Sequence, residues 1–472
     1  MTHAVVLGGG MAGMLAAAAL AEHVDRVTVV ESDRFPDAPL PRKGLPQGHH
    51  FHMFMGGGVD ALDELLPGTS ELLYAAGAHR RRMGDEFLGV SMHGWSRPYD
   101  GRAYVLAASR HLLDHVVRGR VLSHPAIDVV EGTKAIGLVG DAARVTGVRL
   151  ESRADQDADR AERTLAADLV VDATGRGSRA PVWLEALGLP KVAEDLQDAG
   201  FAYAGRTYEA PAALADGFPA ILVQADSGTG RPGRGAGLLP NEDGKWIVSM
   251  IGTKGAQPPT DEEGYLAFAR SLQDPLVAEL MAAARPLTEI RAYRGLVNRQ
   301  RHFEKLPVPD GFLVVGDAAT ILNPNYATGM SMAAFQALAL RAELVKRGLA
   351  DGFTRRVQTA VAKSVVGSWQ AATFNDSLFP GAESTMKVRG GKGQQRFIAR
   401  WNRVSAENPA VARATFEVAS FLAPRRSMMT LPLLFTVLRG PRHPEMALAD
   451  AIERFPAFRE PLSRIGSVIP PG

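Results

Sequence analysis

Six residues near the amino terminus, Gly8-Gly9-Gly10-Met11-Ala12-Gly13, carry the spacing GxGxxG. In a strand-turn-helix setting this spacing makes a phosphate-binding turn. Gly8 permits the tight turn, Gly10 lets the backbone approach a pyrophosphate, and Gly13 lets the following helix pack close to the strand. Met11 and Ala12 open that helix, whose free N–H groups favour an anion. Alone, the spacing is also that of any glycine-rich turn; the setting decides. Residues 4–7 read as a buried strand, 14–22 as an Ala-rich helix and 26–30 as a second strand. That strand ends at Glu31-Ser32. Glu31 stands 18 residues beyond Gly13, close to the ~20 expected of a carboxylate that holds ribose hydroxyls.

A second group lies three hundred residues on. The apolar run 313–315 ends in Gly316-Asp317, followed by Pro324, Gly329 and Met330. This puts a carboxylate at the carboxyl end of a strand, where open α/β sheets bind ligands. An aspartate capping the next helix is the other reading. A third group is the loop Arg42-Lys43-Gly44-Leu45-Pro46-Gln47 with His49, His50 and His52. Arg42 and Lys43 are either phosphate-steering cations or a solvated pair. No metal site is expected, because the loop holds no acid and the chain no cysteine. Neither a Ser-His-Asp set nor a pair of carboxylates placed for acid–base work is evident.

The pairing of the first two groups resembles the FAD-dependent class A monooxygenases of the para-hydroxybenzoate hydroxylase type. The resemblance implies that Asp317 binds the flavin ribityl chain and that residues 324–330 lie beside the isoalloxazine. It matches Arg110, in Ser109-Arg110-His111, to the arginine that steadies the flavin. It matches Asp172-Ala173-Thr174-Gly175 to a strand-turn against FAD. At this position that family often carries an Asp-Gly pair; here Asp172 is followed by Ala173-Thr174-Gly175, which leaves the NADPH contacts open. Within the group, the loop 42–52 and the segments 62–68, 243–246, 261–270 and 369–381 resemble the flavin epoxidases of polyether ionophore biosynthesis. The implied chemistry is epoxidation of alkenes in a large apolar polyketide-like substrate. O₂ and transient NADPH or NADH would serve it through a flavin C4a-hydroperoxide. Arg42, Gln47 and Pro324 become candidates near the isoalloxazine. An alkene has no proton to remove, in keeping with the lack of an evident base. An aromatic or polyketide hydroxylase and a prenyl-chain reductase are the alternatives. A halogenase is disfavoured, since no tryptophan has a second tryptophan two residues away.

These groups must be positioned by an α/β fold. We expect a Rossmann-type FAD-binding domain with an inserted α+β substrate domain on an antiparallel sheet, plus a helical C-terminal region. The expected divisions are 1–183 and 296–360 for the FAD-binding domain, 184–295 for the substrate domain and 361–472 for the helical region. Residues 36–58 read as loop and 60–66 as helical. Residues 110–122 read as a helix, 127–130, 135–139 and 145–150 as strands, and 153–163 as a polar hairpin tip. Strands at 220–225, 235–239 and 245–251 and helices at 261–272 and 328–350 follow. The apolar stretch 428–438 reads as core in preference to a lipid-facing or tunnel-lining segment.

With 472 residues, two or three domains are expected. A net charge of +2 argues against a nucleic-acid partner. The absence of cysteine excludes disulfides and thiolate chemistry. Residues 15–21 are apolar, but no Lys or Arg precedes them and four glycines do, so they read as a buried helix and not a leader. No run reaches the ~18 apolar residues of a membrane span. The expectation is a cytoplasmic enzyme with no stable membrane insertion and no obligate protein partner.

Overall fold

The computed structural model describes residues 1–152, 162–387 and 391–465. The expected hairpin tip at 153–163 lies largely outside them.

A five-stranded parallel sheet forms the nucleotide-binding half. Its order is Phe312–Val314, Leu169–Asp172, His3–Leu7, Arg26–Val30, Ile127–Val130. Ala4 to Leu7 are wholly buried, which is why the run reads as continuous apolar sequence rather than alternating: helices cover both faces of a parallel sheet. The helix Met11–Ala21 packs on it, with the helix Gly329–Arg347 alongside. Register gathers the motifs. Leu7 is paired with Asp172 on one side and Val30 on the other, and Asp172 is paired with Val314. Gly8, Glu31, Ala173 and Val315 therefore leave the sheet together at its carboxyl edge.

The second half is a large sheet of ten strands among the described residues. Its backbone is the 16-residue strand Glu194–Glu209, between Arg291–Arg301 and Lys245–Gly252. Arg234–Pro240 and Ala220–Val223 extend it antiparallel, as expected. Ala220–Val223 then pairs in parallel with Phe87–Ser91, so a segment from the first 183 residues joins this sheet. The turn after Gly316–Ala318 runs directly into the edge strand Thr320–Ile321, which ties the two halves together at the Gly-Asp motif. The strand Arg291–Arg301 crosses residue 295 and the helix Phe353–Asp376 crosses residue 360 without a break.

Two expectations are corrected. Residues 36–58 are not all loop: Met53–Met55 is a strand, and Gly56, Gly57 and Gly58 open the helix Gly56–Leu65. Close packing demands those glycines, since a Cβ on Gly57 would lie 2.4 Å from the Phe421 carbonyl oxygen. Nor is 428–438 simply core. The helix Leu431–Arg439 buries Val437 against Trp401, Val404 and Val411, with Leu433 and Leu434 packed on them. Met429, Leu431, Phe435 and Leu438 stay exposed. No helix among the described residues is long and apolar enough to cross a membrane.

Candidate functional site

The glycines at the carboxyl edge divide into two kinds. Gly8 has φ +97°, and a Cβ there would lie 2.7 Å from the Ala173 carbonyl oxygen; one on Gly13 would lie 1.8 Å from the Gly8 carbonyl oxygen. These two let protein pack on protein. A Cβ on Gly10, Gly175 or Gly329 would meet no atom of the described residues within 4 Å. These three line an open cradle, and two of them, Gly10 and Gly329, stand at the amino ends of helices, where anions are favoured. Gly316 has φ +63° and packs against Ala12, which draws the Gly-Asp turn onto the first helix. Met11 is buried at the same helix start, and Met330 packs partly buried in the second.

Asp317 follows Gly316 in the same turn. It is exposed to solvent, with protein packed around its carboxyl and Arg176 and Arg110 as its charged neighbours. Burial raises its carboxyl, opposed by Arg176 and Arg110. Arg110 opens the helix Arg110–Leu122, whose cap Ser109 accepts a hydrogen bond from the Leu112 N–H at 3.1 Å. Arg110 is 4% exposed, and its Nη1 has no hydrogen-bond partner among the described residues. Such an orphaned buried donor is costly, and an anionic or carbonyl-bearing ligand would satisfy it. Burial lowers its pKa, while Asp114 and Asp317 support the charge.

Glu31 is buried and already braced. Its carboxylate accepts from the Gly9 N–H at 2.7 Å, the Asp33 N–H at 2.9 Å and the Ser32 hydroxyl at 3.1 Å. Arg42 lies here too, 3.4 Å from Glu31, 3.7 Å from Asp33 and 3.1 Å from Asp114, and it donates to the Gly9 carbonyl at 3.0 Å. Burial alone would lower this guanidinium, but the three carboxylates outweigh it and hold it above its usual value. Arg42 thus belongs to the glycine-turn end of the cradle and not to the neighbourhood of Pro324. Lys43 is exposed, and Gln47 sits in the short turn Pro46–His49. Asp172 turns inward: Thr174 donates to one carboxylate oxygen from both N–H and hydroxyl, and Ser178 donates to the other at 2.6 Å. It braces the turn that presents Thr174 and Gly175, in place of the direct cofactor contact expected.

Beyond Arg42 the loop crosses to the large sheet. His50 packs on Gly205, 3.3 Å from the Ser249 hydroxyl, with its ring near those of Tyr203 and Tyr293; Phe51 covers Gly237. Burial brings the His50 imidazole down to about 4, helped by His49, and His52 to about 3, helped by Arg110. Both are neutral at pH 7. Among the described residues no cluster of His, Asp and Glu could hold a metal.

The loop Pro324–Tyr326 is fixed by a buried network that the sequence did not reveal. Tyr326 donates to Asp376, and Asn298 Nδ2 donates to its other oxygen at 2.6 Å. The Asn323 N–H donates to Asn298 at 2.6 Å, and the Tyr203 hydroxyl donates to Asn323 at 3.3 Å. The only sequence signal was the coarse one that 369–381 matters. Burial pushes the Asp376 carboxyl up to about 6, opposed by the hydrogen bonds from Tyr326 and Asn298. A raised carboxyl stabilises the fold below its unfolded value and loses that contribution as pH rises to the folded one. The melting temperature of the native protein minus that of Asp376→Asn should therefore decline from pH 4 to 6 and level off above. A flat difference would show that the carboxyl does not titrate in this window.

The apolar side of the junction holds Met53, Met55, Phe87, Val105, Ala220 and Leu239, with Phe51, Leu222 and Ala327 packed on them. The loop residue Ala327, at φ +49°, thus touches the same apolar cluster as the sheet.

Comparison with known proteins agrees with this geometry. Protein Rv3254 of Mycobacterium tuberculosis is 34% identical over 393 residues, 80% of each chain. The p-nitrophenol 4-monooxygenase of Pseudomonas putida superposes with a TM-score of 0.62 at 17% identity, over 94% of this chain and 100% of that one. A myxobacterial chondrochloren halogenase superposes with a TM-score of 0.63 at 17% identity, over 96% and 99%. At such identities the two structures establish the shared fold and no more. Residues 1–352 match the family model described as FAD binding domain, so the chain belongs to the FAD-binding-domain family and its cofactor is FAD.

Proposed function

We propose that this chain is an FAD-dependent monooxygenase that epoxidises alkenes of a large, apolar, polyketide-like substrate. One oxygen atom of O₂ joins the alkene carbons and the other leaves as water, with NAD(P)H and a proton supplying the two electrons. Bound FAD, once reduced, supplies an activated, electrophilic oxygen derived from O₂. The protein binds, orients and dries. The helix starting at Met11 would take the pyrophosphate and Glu31 the ribose. Asp317 and Arg110 would hold the remainder of the cofactor. Asp376, through Tyr326 and Asn298, holds the Asn323–Ala327 turn in one position. Phe51, Leu222 and Ala327 keep the adjoining side apolar, as ligand pockets generally are.

The observation that carries the alkene reading is that apolar contact with the 324–330 loop, joined to the epoxidase-like residues 42–52 and 369–381. An aromatic hydroxylase is the second reading, favoured by the buried His50 beside Tyr203 and Tyr293: its Nε2 has no partner among the described residues and is free to accept a hydrogen bond from a phenol hydroxyl. Incubation of the FAD-loaded protein with NADPH and equal amounts of a trisubstituted alkene and a phenol should consume the alkene and form epoxide. Consumption of the phenol alone would assign the chain to hydroxylation. NADPH oxidation without oxygen uptake would assign it to reduction.

A further inference from the structure

Three helices of the C-terminal region, Lys392–Glu407, Pro409–Ala419 and Leu431–Arg439, enclose a small core of their own around Trp401, Val404, Val411 and Val437. The third of these helices is apolar on both sides. Leu433, Leu434 and Val437 face the core, while Leu431, Phe435 and Leu438, at spacings of four and three, form the opposite row. That row is 82%, 54% and 64% exposed, and Met429 just before it is 60% exposed. A helix apolar all round is ordinarily covered on every side.

Charge identifies the cover. Residues 391–444 contain nine Lys and Arg against two Asp and Glu, a net of +7 in a chain whose total is +2. One of the two acids, Glu407, is spent on the backbone N–H groups of Arg442 and His443. Arg425 and Arg426 flank the exposed row on one side and Arg439 and Arg442 on the other, all exposed. The Arg439 guanidinium lies 3.9 Å from the Phe435 ring centre, so cation and apolar face present themselves together. We propose that this face is a peripheral docking surface for an anionic lipid bilayer: the row enters the headgroup boundary while the arginines meet lipid phosphates. A second copy would bring +7 against +7, an arrangement that like-charge repulsion opposes. The helix lies on the bilayer and does not span it, having nine residues.

The inference is independent of the substrate. Co-sedimentation of the full-length, FAD-loaded protein with vesicles of phosphatidylcholine containing a third phosphatidylglycerol should bind at least fivefold more protein than pure phosphatidylcholine, and less as salt is raised. The triple substitution Leu431→Asp, Phe435→Asp, Leu438→Asp should cut binding at least tenfold with the flavin absorbance retained. Should that variant lose its flavin or its fold, Arg425→Glu, Arg426→Glu, Arg439→Glu makes the same test through charge. Equal binding to both vesicle types, unchanged binding by a folded variant, or a dimer by light scattering that the apolar triple variant turns into monomer would each overturn the proposal.

Discussion

Gly10→Leu should give a folded protein that has lost its FAD. Gly10 has φ −79° and ψ −177°, extended backbone open to any L residue. No atom of the described residues lies within 4 Å of where its Cβ would be, so the native fold accommodates the side chain without overpacking. The leucine would stand in the cradle where the pyrophosphate approaches the turn. We expect FAD affinity to fall at least a hundredfold, equivalent to about 2.8 kcal/mol, with an unchanged denaturation midpoint for the apoprotein. The neighbouring change Gly13→Ala is the contrast. Its Cβ would lie 1.8 Å from the Gly8 carbonyl oxygen, so strand and helix must part, and overpacking of this kind costs roughly 1–3 kcal/mol of stability. Apoprotein denaturation and FAD titration by fluorescence quenching separate the two effects. Normal FAD binding by Gly10→Leu would show that the pyrophosphate does not pass this turn.

Asp317→Ala should weaken FAD binding by about ten- to a hundredfold. A hydrogen bond to a charged group is worth ~1.5–3 kcal/mol, and Asp317 is exposed at the end of its strand. Burial works against the charge, which Arg176 and Arg110 sustain. A role as mere helix cap predicts the reverse pattern: lost stability and unchanged affinity. Isothermal titration of apoprotein with FAD at pH 7.5 distinguishes them.

The parts of this site that sequence reveals are those a backbone requirement writes locally. The GxGxxG turn, Glu31 and Gly316-Asp317 are legible because each needs a particular residue at a particular turn. Parallel strand runs are legible because they are buried on both faces. That Leu7, Asp172 and Val314 stand in register is not written in any one of them; it follows from the topology. Arg42 was expected near the isoalloxazine, yet Asp33 and Asp114 draw it to Glu31, and Asp114 is a helix residue 72 positions away. The Asp376 network joins residues 203, 298, 323, 326 and 376, which only the packing of a helix on a sheet brings together. The long strand Glu194–Glu209 hides its period behind Asp195, Asp198 and Gly200, and its pairing with Arg291–Arg301 is irregular between Gln197 and Tyr203. The outward row Leu431, Phe435 and Leu438 reads as core, because hydrophobicity alone does not say which side of a helix has a partner.

The most direct test of the account is the mass of the product formed from a polyene by the FAD-loaded protein with NADPH under ¹⁸O₂. We predict a product heavier by one ¹⁸O per double bond attacked, with the label in an epoxide and one NADPH oxidised for each oxygen inserted. Product carrying unlabelled oxygen, or a saturated product two hydrogens heavier with no oxygen consumed, would contradict it.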